Sequence, residues 1–360
     1  MADLARPVAA AGRAQSGDRR RLAGRTTVAL VVLVALVAAL SLEVGAAGVS
    51  AWGVFGAYLS GAEVDTTARV ILFDIRLPRL GLGLLVGAAL AVSGAVMQGL
   101  FRNPLADPGL VGVGAGAGLG AIAAIVLGAA LPAGISLAFG TYLVPIAAFL
   151  GGWVTTLVLY RISTRQGRTS VAVMLLAGIA LGALSGALSG ILIYLADDAQ
   201  LRDLTFWGLG SLAGATWAKT LAAAPLILLA LASAPFLARS LNALALGEAA
   251  AGHLGIPVQR MKAIAILTVA GATGAAVAVS GGIGFIGIVV PHLLRVATGP
   301  DHRYLLLNAA LLGAALLVGA DIISRTIVAP AELPIGIVTA TLGGPFFLWI
   351  LLRNRGVLDL

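Results

Sequence analysis

The stretch Thr26-Thr-Val-Ala-Leu-Val-Val-Leu-Val-Ala-Leu-Val-Ala-Ala-Leu-Ser41 carries no charge and shows no polar face. Leu305 to Ala320 reads the same way. A helix on the surface of a soluble domain keeps one apolar stripe and one polar side, whereas a run apolar all round is buried or lies in lipid. A membrane barrel would need alternating segments of about ten residues, and these runs do not alternate. About 20 residues at 1.5 Å each cross a hydrocarbon core of about 30 Å, so stretches of this kind predict membrane-spanning helices. With 60% hydrophobic and 11% charged residues and a mean hydropathy of +1.04, the whole chain follows that reading, and a soluble domain is excluded.

Reading apolar runs against breakers predicts ten spans, near 26–45, 79–100, 109–131, 141–160, 171–195, 219–238, 262–280, 284–298, 304–322 and 334–352. An amphipathic piece around Leu204 to Leu212 lies between two of them. The first span follows Arg19, Arg20, Arg21 and Arg25, the order of a signal peptide. It stays apolar to about Ala47 with only Glu43 interrupting, however, and many spans follow, so it reads as a retained helix. The expected division is a basic cytoplasmic tail at 1–25 and a transmembrane domain at 26–360.

With the N-terminus inside, 17 of the 23 Lys and Arg fall on inside segments and 6 on outside ones. This bias fixes an even number of spans with both ends cytoplasmic. The net charge of +8 is therefore a topology signal, and no nucleic-acid module accompanies it. The chain has no cysteine, which excludes disulfides and thiolate metal sites, and no metal centre is expected. The glycines of Gly87 to Gly94 and Gly178 to Gly190 are the small residues that let helices pack closely in lipid.

Ionisable residues within the spans sit toward the ends, as with Glu43, Asp321 and Arg295. Ion-driven transporters carry carboxylates or broken-helix sites at depth, so no coupling-ion site is expected. No GxxxxGK[ST] sequence is present either, and the chain is not expected to hydrolyse ATP itself. The energy for transport is then expected from another chain, and a short helix after the sixth span offers a surface for it. In Ser240 to Pro257, Asn242 suits a helix N-cap, Gly255 the left-handed residue after the last turn, and Pro257 stops continuation. Such a helix can lie in a groove of a partner and transmit its movement.

Four stretches in order resemble the permease family that imports ferric siderophores, haem and cobalamin, the second structural type of ABC importer. They are Arg76-Leu-Pro-Arg79 with Gly87 to Gln98 and Arg102-Asn-Pro-Leu-Ala-Asp-Pro-Gly109; Gly247-Glu-Ala-Ala-Ala-Gly-His-Leu-Gly255; Gly281 to Arg295 with Asp301-His-Arg303; and Ala320 to Arg325 with Glu332 to Pro345. The resemblance implies an all-α polytopic membrane protein with ten spans per subunit and a type II ABC importer permease fold. It implies a homodimer in the bacterial inner membrane, bearing two cytoplasmic ATPase subunits that carry ATP, and a periplasmic substrate-binding protein.

By resemblance, Arg76, Arg79 and Arg325 face the periplasm and pair with carboxylates of the binding protein. From the residues alone they are cations flanking spans, where pairing with Asp74 or Asp321 is the plainer reading. The family's coupling helix maps to about 241–255, with Leu246, Gly247, Glu248, Ala249, Ala250, His253, Leu254 and Gly255 against the ATPase. A cytoplasmic gate is implied at Asn103, Pro104 and Leu105, with a second part at Thr169 and Ser170; Asn-Pro also simply favours a turn. Gly281, Gly282, Gly284 and Gly287 are expected to provide packing and a bend. The segment Tyr194 to Trp217 looks most like haem permeases, so haem is the expected cargo, with a ferric siderophore or cobalamin as the alternative and no permanently bound cofactor. His253, His292 and His302 all fall toward the inside, where polar or packing roles are expected of them rather than iron ligation.

Overall fold

A computed structural model describes residues 16–45, 47–132, 134 and 138–353. Its helices, in chain order, are α1 (Ser16–Glu43), α2 (Ala51–Ser60), α3 (Thr66–Val70), α4 (Leu77–Phe101), α5 (Val113–Leu127), α6 (Leu143–Ser163), α7 (Val171–Leu195), α8 (Asp198–Leu209), α9 (Trp217–Leu244), α10 (Glu248–His253), α11 (Val258–Ser280), α12 (Ile286–Thr298), α13 (His302–Thr326) and α14 (Ile335–Arg353). Among the described residues, eight helices are long and apolar enough to cross a membrane, and Ile286–Thr298 and Ile335–Trp349 are shorter apolar helices. Together they occupy the ten positions expected from the sequence. Residues 1–15 of the expected tail lie outside the described residues, while Ser16 to Arg25 are already helical in α1.

The centre of the fold is α4, whose residues from Val86 to Phe101 are all buried. It packs against α13, α9, α11 and α12. Two of these approaches require glycine. A Cβ on Gly87 would overlap the Gly313 carbonyl of α13, and one on Gly94 would overlap the Gly287 carbonyl of α12. Backbones this close exchange dispersion contacts that larger side chains would hold apart, and in lipid such packing carries association. Helix α4 runs on from α3 through a widened π-type turn, Ile71–Arg76, placed just ahead of Pro78. Proline has no N–H to give to the turn behind it, so the ladder changes register there.

A second group forms around α5, which packs against α6, α7 and α8, with Gly116 and Gly151 against each other's backbone. Between α6 and α7 the chain makes a small antiparallel hairpin, β1 (Thr164–Arg165) with β2 (Arg168–Thr169). Gln166 and Gly167, both at positive φ, form its turn, as two-residue hairpin loops require.

Three local expectations change. The amphipathic piece begins at Asp198, earlier than Leu204, because Asp197 and Gln200 form a reciprocal capping box that starts α8. The helix expected at 241–255 is split: α9 continues to Leu244, and only Glu248–His253 forms the separate helix α10. Asn242 therefore lies inside α9 and caps nothing. Its side-chain amide donates to Asp301, 2.8 Å, and its carbonyl oxygen accepts the His302 backbone N–H, 2.9 Å. Gly255 does take the left-handed conformation expected of it, φ 79°.

Candidate functional site

On the expected outer side, the arginines are held within the chain, with Asp321 as a partner, the plainer of the two readings. Arg76, Arg79 and Arg325 are buried, at 4%, 7% and 7% exposure, and each is bonded from within the chain, although Arg76 Nη2 and Arg325 Nε have no hydrogen-bond partner. Arg79 is forked between two carboxylates. Its Nε and Nη2 donate to Asp321 at 2.8–3.1 Å, and its Nη1 and Nη2 to Glu332 at 2.8 and 2.9 Å. Arg325 donates to the Ser41 carbonyl, 2.7 Å, and to its Oγ, 2.9 Å, while its Nε lies 3.6 Å from Asp321 without a hydrogen bond. Arg76 donates to the carbonyls of Leu42, Glu43 and Val49. The three cations thus tie together the ends of α1, α4 and α13 and the loop before α14. Cations exposed at the rim, as the resemblance implied, are not seen at these three positions. The loop before α14 closes onto Arg79, whereas Arg76 and Arg325 are bonded by the end of α1 and the residues after it. Glu332 is the cluster's more exposed carboxylate, with 36% of its side chain accessible against 4% for Asp321.

At the expected inner side, α10 stands between Gly247, φ 105°, and Gly255. Its Ala251 is fully buried, whereas Leu246, Glu248, Ala249, His253, Leu254 and Gly255 are exposed and Ala250 is half-buried. The outward face is therefore a small-residue surface with an apolar leucine at each end. The proposed gate residues form two separate features. Asn103, Pro104 and Leu105 make a tight turn in which the Asn103 side chain accepts the Leu105 N–H, 2.9 Å, after Arg102 at φ 51° ends α4. Thr169 is buried in the hairpin and Ser170 caps α7 by accepting the Val173 N–H. No hydrogen bond joins the two features among the described residues.

Sequence reading missed Asp107. Six residues beyond α4 the chain turns back, so that an Asp107 carboxylate oxygen and Pro108 face Gly287 alongside the Leu90 carbonyl, in the middle of α4. There Asp107 lines a cavity of about 220 Å³ with Leu90, Trp207, Thr273, Val277 and Phe285. Thr273 Oγ1 has no hydrogen-bond partner. The position is invisible to span counting because Asp107 belongs to a connection, and only its Asp-Pro-Gly context hinted at a turn. Of the four glycines expected to pack, a Cβ on Gly281 would overlap the Trp207 carbonyl, one on Gly282 would press on that of Gly208, and one on Gly287 would sit tightly against the Leu90 carbonyl, whereas Gly284 has open space around it and lines the cavity.

Two of the histidines, His292 and His302, make packing and polar contacts, while His253 is exposed. His292 meets Phe346 edge-on, His302 Nδ1 sits 2.8 Å from Asn242 Oδ1, and His253 closes α10. At the N-terminal end of α13, the Asp301 carboxylate accepts from Arg303 and from Asn242, and this holds its carboxyl well below the usual range.

Comparison with known proteins gives this arrangement its family. The chain is 46% identical over 332 residues to the hemin transport system permease protein HmuU of Yersinia pestis, covering 92% of this chain and 98% of that protein. It is 44% identical over 294 residues to the cobalamin import system permease protein BtuC of Halobacterium salinarum, covering 82% and 76% respectively. It is 42% identical to the vitamin B12 import system permease protein BtuC of Klebsiella pneumoniae, covering 95% of this chain and 96% of that one. A solved structure of a metal-chelate type ABC transporter in an inward-facing conformation superposes with a TM-score of 0.80 at 32% identity, over 92% of this chain and 99% of that one. The model of the FecCD transport family matches residues 32–353, and the chain is a member of that family, a polytopic permease of the iron-siderophore, haem and cobalamin ABC importers.

Proposed function

We propose that this permease passes haem across the bacterial inner membrane, as a homodimer carrying two cytoplasmic ATPase subunits and receiving cargo from a periplasmic binding protein. The observation that carries the cargo assignment is the 46% identity to a hemin permease over 98% of its length. Both termini then lie in the cytoplasm, in keeping with the bias of Lys and Arg toward the inside segments. ATP is bound and hydrolysed on the partner, against which the exposed face of α10 from Leu246 to Gly255 docks. Asn103, Pro104 and Leu105, with Thr169 and Ser170, form the inner gate.

Docking of a binding protein at Arg76, Arg79 and Arg325 takes a particular form in this reading. Since Arg79 already holds two carboxylates, a carboxylate from the partner must displace one. Glu332 is the more accessible and lies on a loop, so it is the one exchanged, while Asp321 stays and keeps the cluster intact. The test of the whole assignment is uptake into proteoliposomes holding the permease, its ATPase and its binding protein, with haem, a ferric siderophore and cobalamin offered in parallel. ATP-dependent accumulation of haem above the other two supports it. Preference for either of the others, or accumulation driven by a proton or sodium gradient without ATP, overturns it.

A further inference from the structure

Helix α10 is poorly built to carry a load by itself. It is one and a half turns long, too short to persist alone, and it hangs between Gly247 and Gly255, both at positive φ. Glycines in such conformations are natural pivots, since no side chain restrains them. A push on the exposed face of α10 would be absorbed at these two points unless something braces the helix from behind.

The brace is Lys262, in the second turn of α11, whose side chain is enclosed almost completely at 1% exposure. Its Nζ donates to Glu248 Oε1, 2.6 Å, at the first residue of α10, and to the Thr169 carbonyl, 2.9 Å, in the hairpin between α6 and α7. The hairpin is held to α11 a second time, by the Thr169 N–H donating to Gln259 Oε1, 2.8 Å. A single buried ammonium therefore joins α10 and α11, neighbours in sequence, to a hairpin 93 residues away. A lysine is almost never enclosed unless paired, and charge-assisted bonds at this separation are the strong ones.

We infer that Lys262 is the positioning residue that transmits displacement of α10 to the Thr169–Ser170 hairpin and to α11, so that movement imposed by the ATPase reaches the inner gate. This rests on the docking and gate roles proposed above. Lys262 touches neither the ATPase nor cargo in this account. It stiffens the joint between them.

The experiment compares Lys262→Met and Gln259→Leu with wild type in the reconstituted complex. It records ATP hydrolysis, haem uptake per ATP, and the unfolding midpoint of the purified permease. In Lys262→Met the expected result is hydrolysis retained with uptake per ATP reduced about tenfold, within the usual span of intersite coupling. Its midpoint falls as well, because the Thr169 carbonyl loses its donor, whereas Glu248, with 44% of its side chain exposed, turns to solvent. Gln259→Leu leaves the Thr169 N–H unpaired in the same hairpin and lowers the midpoint too, yet uptake per ATP stays near wild type because the Lys262 bridge to α10 is intact. That split between stability and coupling separates a relay from a merely structural contact. Should Lys262→Met not assemble, Lys262→Gln is measured in its place, with the same result expected. Wild-type uptake per ATP once Lys262 is replaced, or an equal loss in Gln259→Leu, overturns the inference. A wild-type permease that purifies without an ATPase, or transports without ATP, would instead count against the proposed function.

Discussion

Replacing Asp321 with Asn tests whether the outer arginines are held from within. Arg79 would keep Glu332, but Arg325, at 7% exposure, would lose the one carboxylate that lies within 4 Å among the described residues and keep its bonds to the Ser41 oxygens. Because its Nε makes no hydrogen bond, Arg325 depends on the charge of Asp321 more than on its shape. Breaking a buried ion pair by removing one partner costs about 3–5 kcal/mol, since the remaining charge is uncompensated. Glu332→Gln leaves both arginines their Asp321 and perturbs a side chain 36% exposed, so a loss of about 0.5–1.5 kcal/mol is expected. The difference of about 2–4 kcal/mol between two single-charge deletions in one cluster is measurable by titrating the purified protein with SDS in mixed micelles. The same two proteins, titrated with binding protein, should move in opposite directions from wild type: Glu332→Gln weakens the internal competitor for Arg79 and tightens docking, whereas Asp321→Asn loosens it. Equal losses of stability, or a weaker docking in Glu332→Gln, would refute the internal-staple reasoning and restore the arginines as free rim cations.

The remaining expectations concern the packing and the inner face. Gly94→Ala drives a methyl group into the Gly287 carbonyl and should destabilise the permease by about 1–3 kcal/mol in the same SDS titration. Asn242→Ala removes the amide that bonds Asp301 and the oxygen that accepts the His302 N–H, with a loss of about 1–3 kcal/mol. Asp301 is held below the ordinary carboxylate value, so the stability it gives is complete above about pH 3.9 and disappears as the pH falls beneath it. An acid-unfolding curve of Asp301→Asn should lack that limb. Serine at Leu246 and Leu254 together should reduce co-purification of the ATPase, because these are the exposed apolar ends of α10.

The spans were legible because their signal is local: a residue apolar on all sides needs lipid whatever its neighbours are, and the alternation of positive charge fixes direction without any contact being known. The arginine cluster was only half legible. Asp321 could be named as a partner from its place beside a span, but Glu332 lies 253 residues from Arg79, and nothing in its neighbourhood says that the loop folds back. Asn242 misled for the opposite reason. Its local preference for helix starts is real, yet partners 59 and 60 residues away took its side chain, and α9 continued through it. Asp107 stayed hidden because depth in the bilayer is not a property of sequence position once a connection turns back into the protein.

The packing also bears on which element could act on the proposed gate and the core together. Helices α4, α12 and α13 meet backbone to backbone at Gly87, Gly94, Gly287 and Gly313, and buried arginines lock the ends of α1, α4 and α13, so this group has little freedom to shear. Helices α5, α6 and α7 form the other packed group. Helix α11 touches both, lying against α4 on one side and α5 and α6 on the other. Close-packed groups of this kind respond to displacement by moving as bodies, not by deforming. A helix wedged between two bodies is the place where a small displacement changes their relation, and Lys262 delivers it to the inner end of that helix, where the hairpin of the second body is already attached.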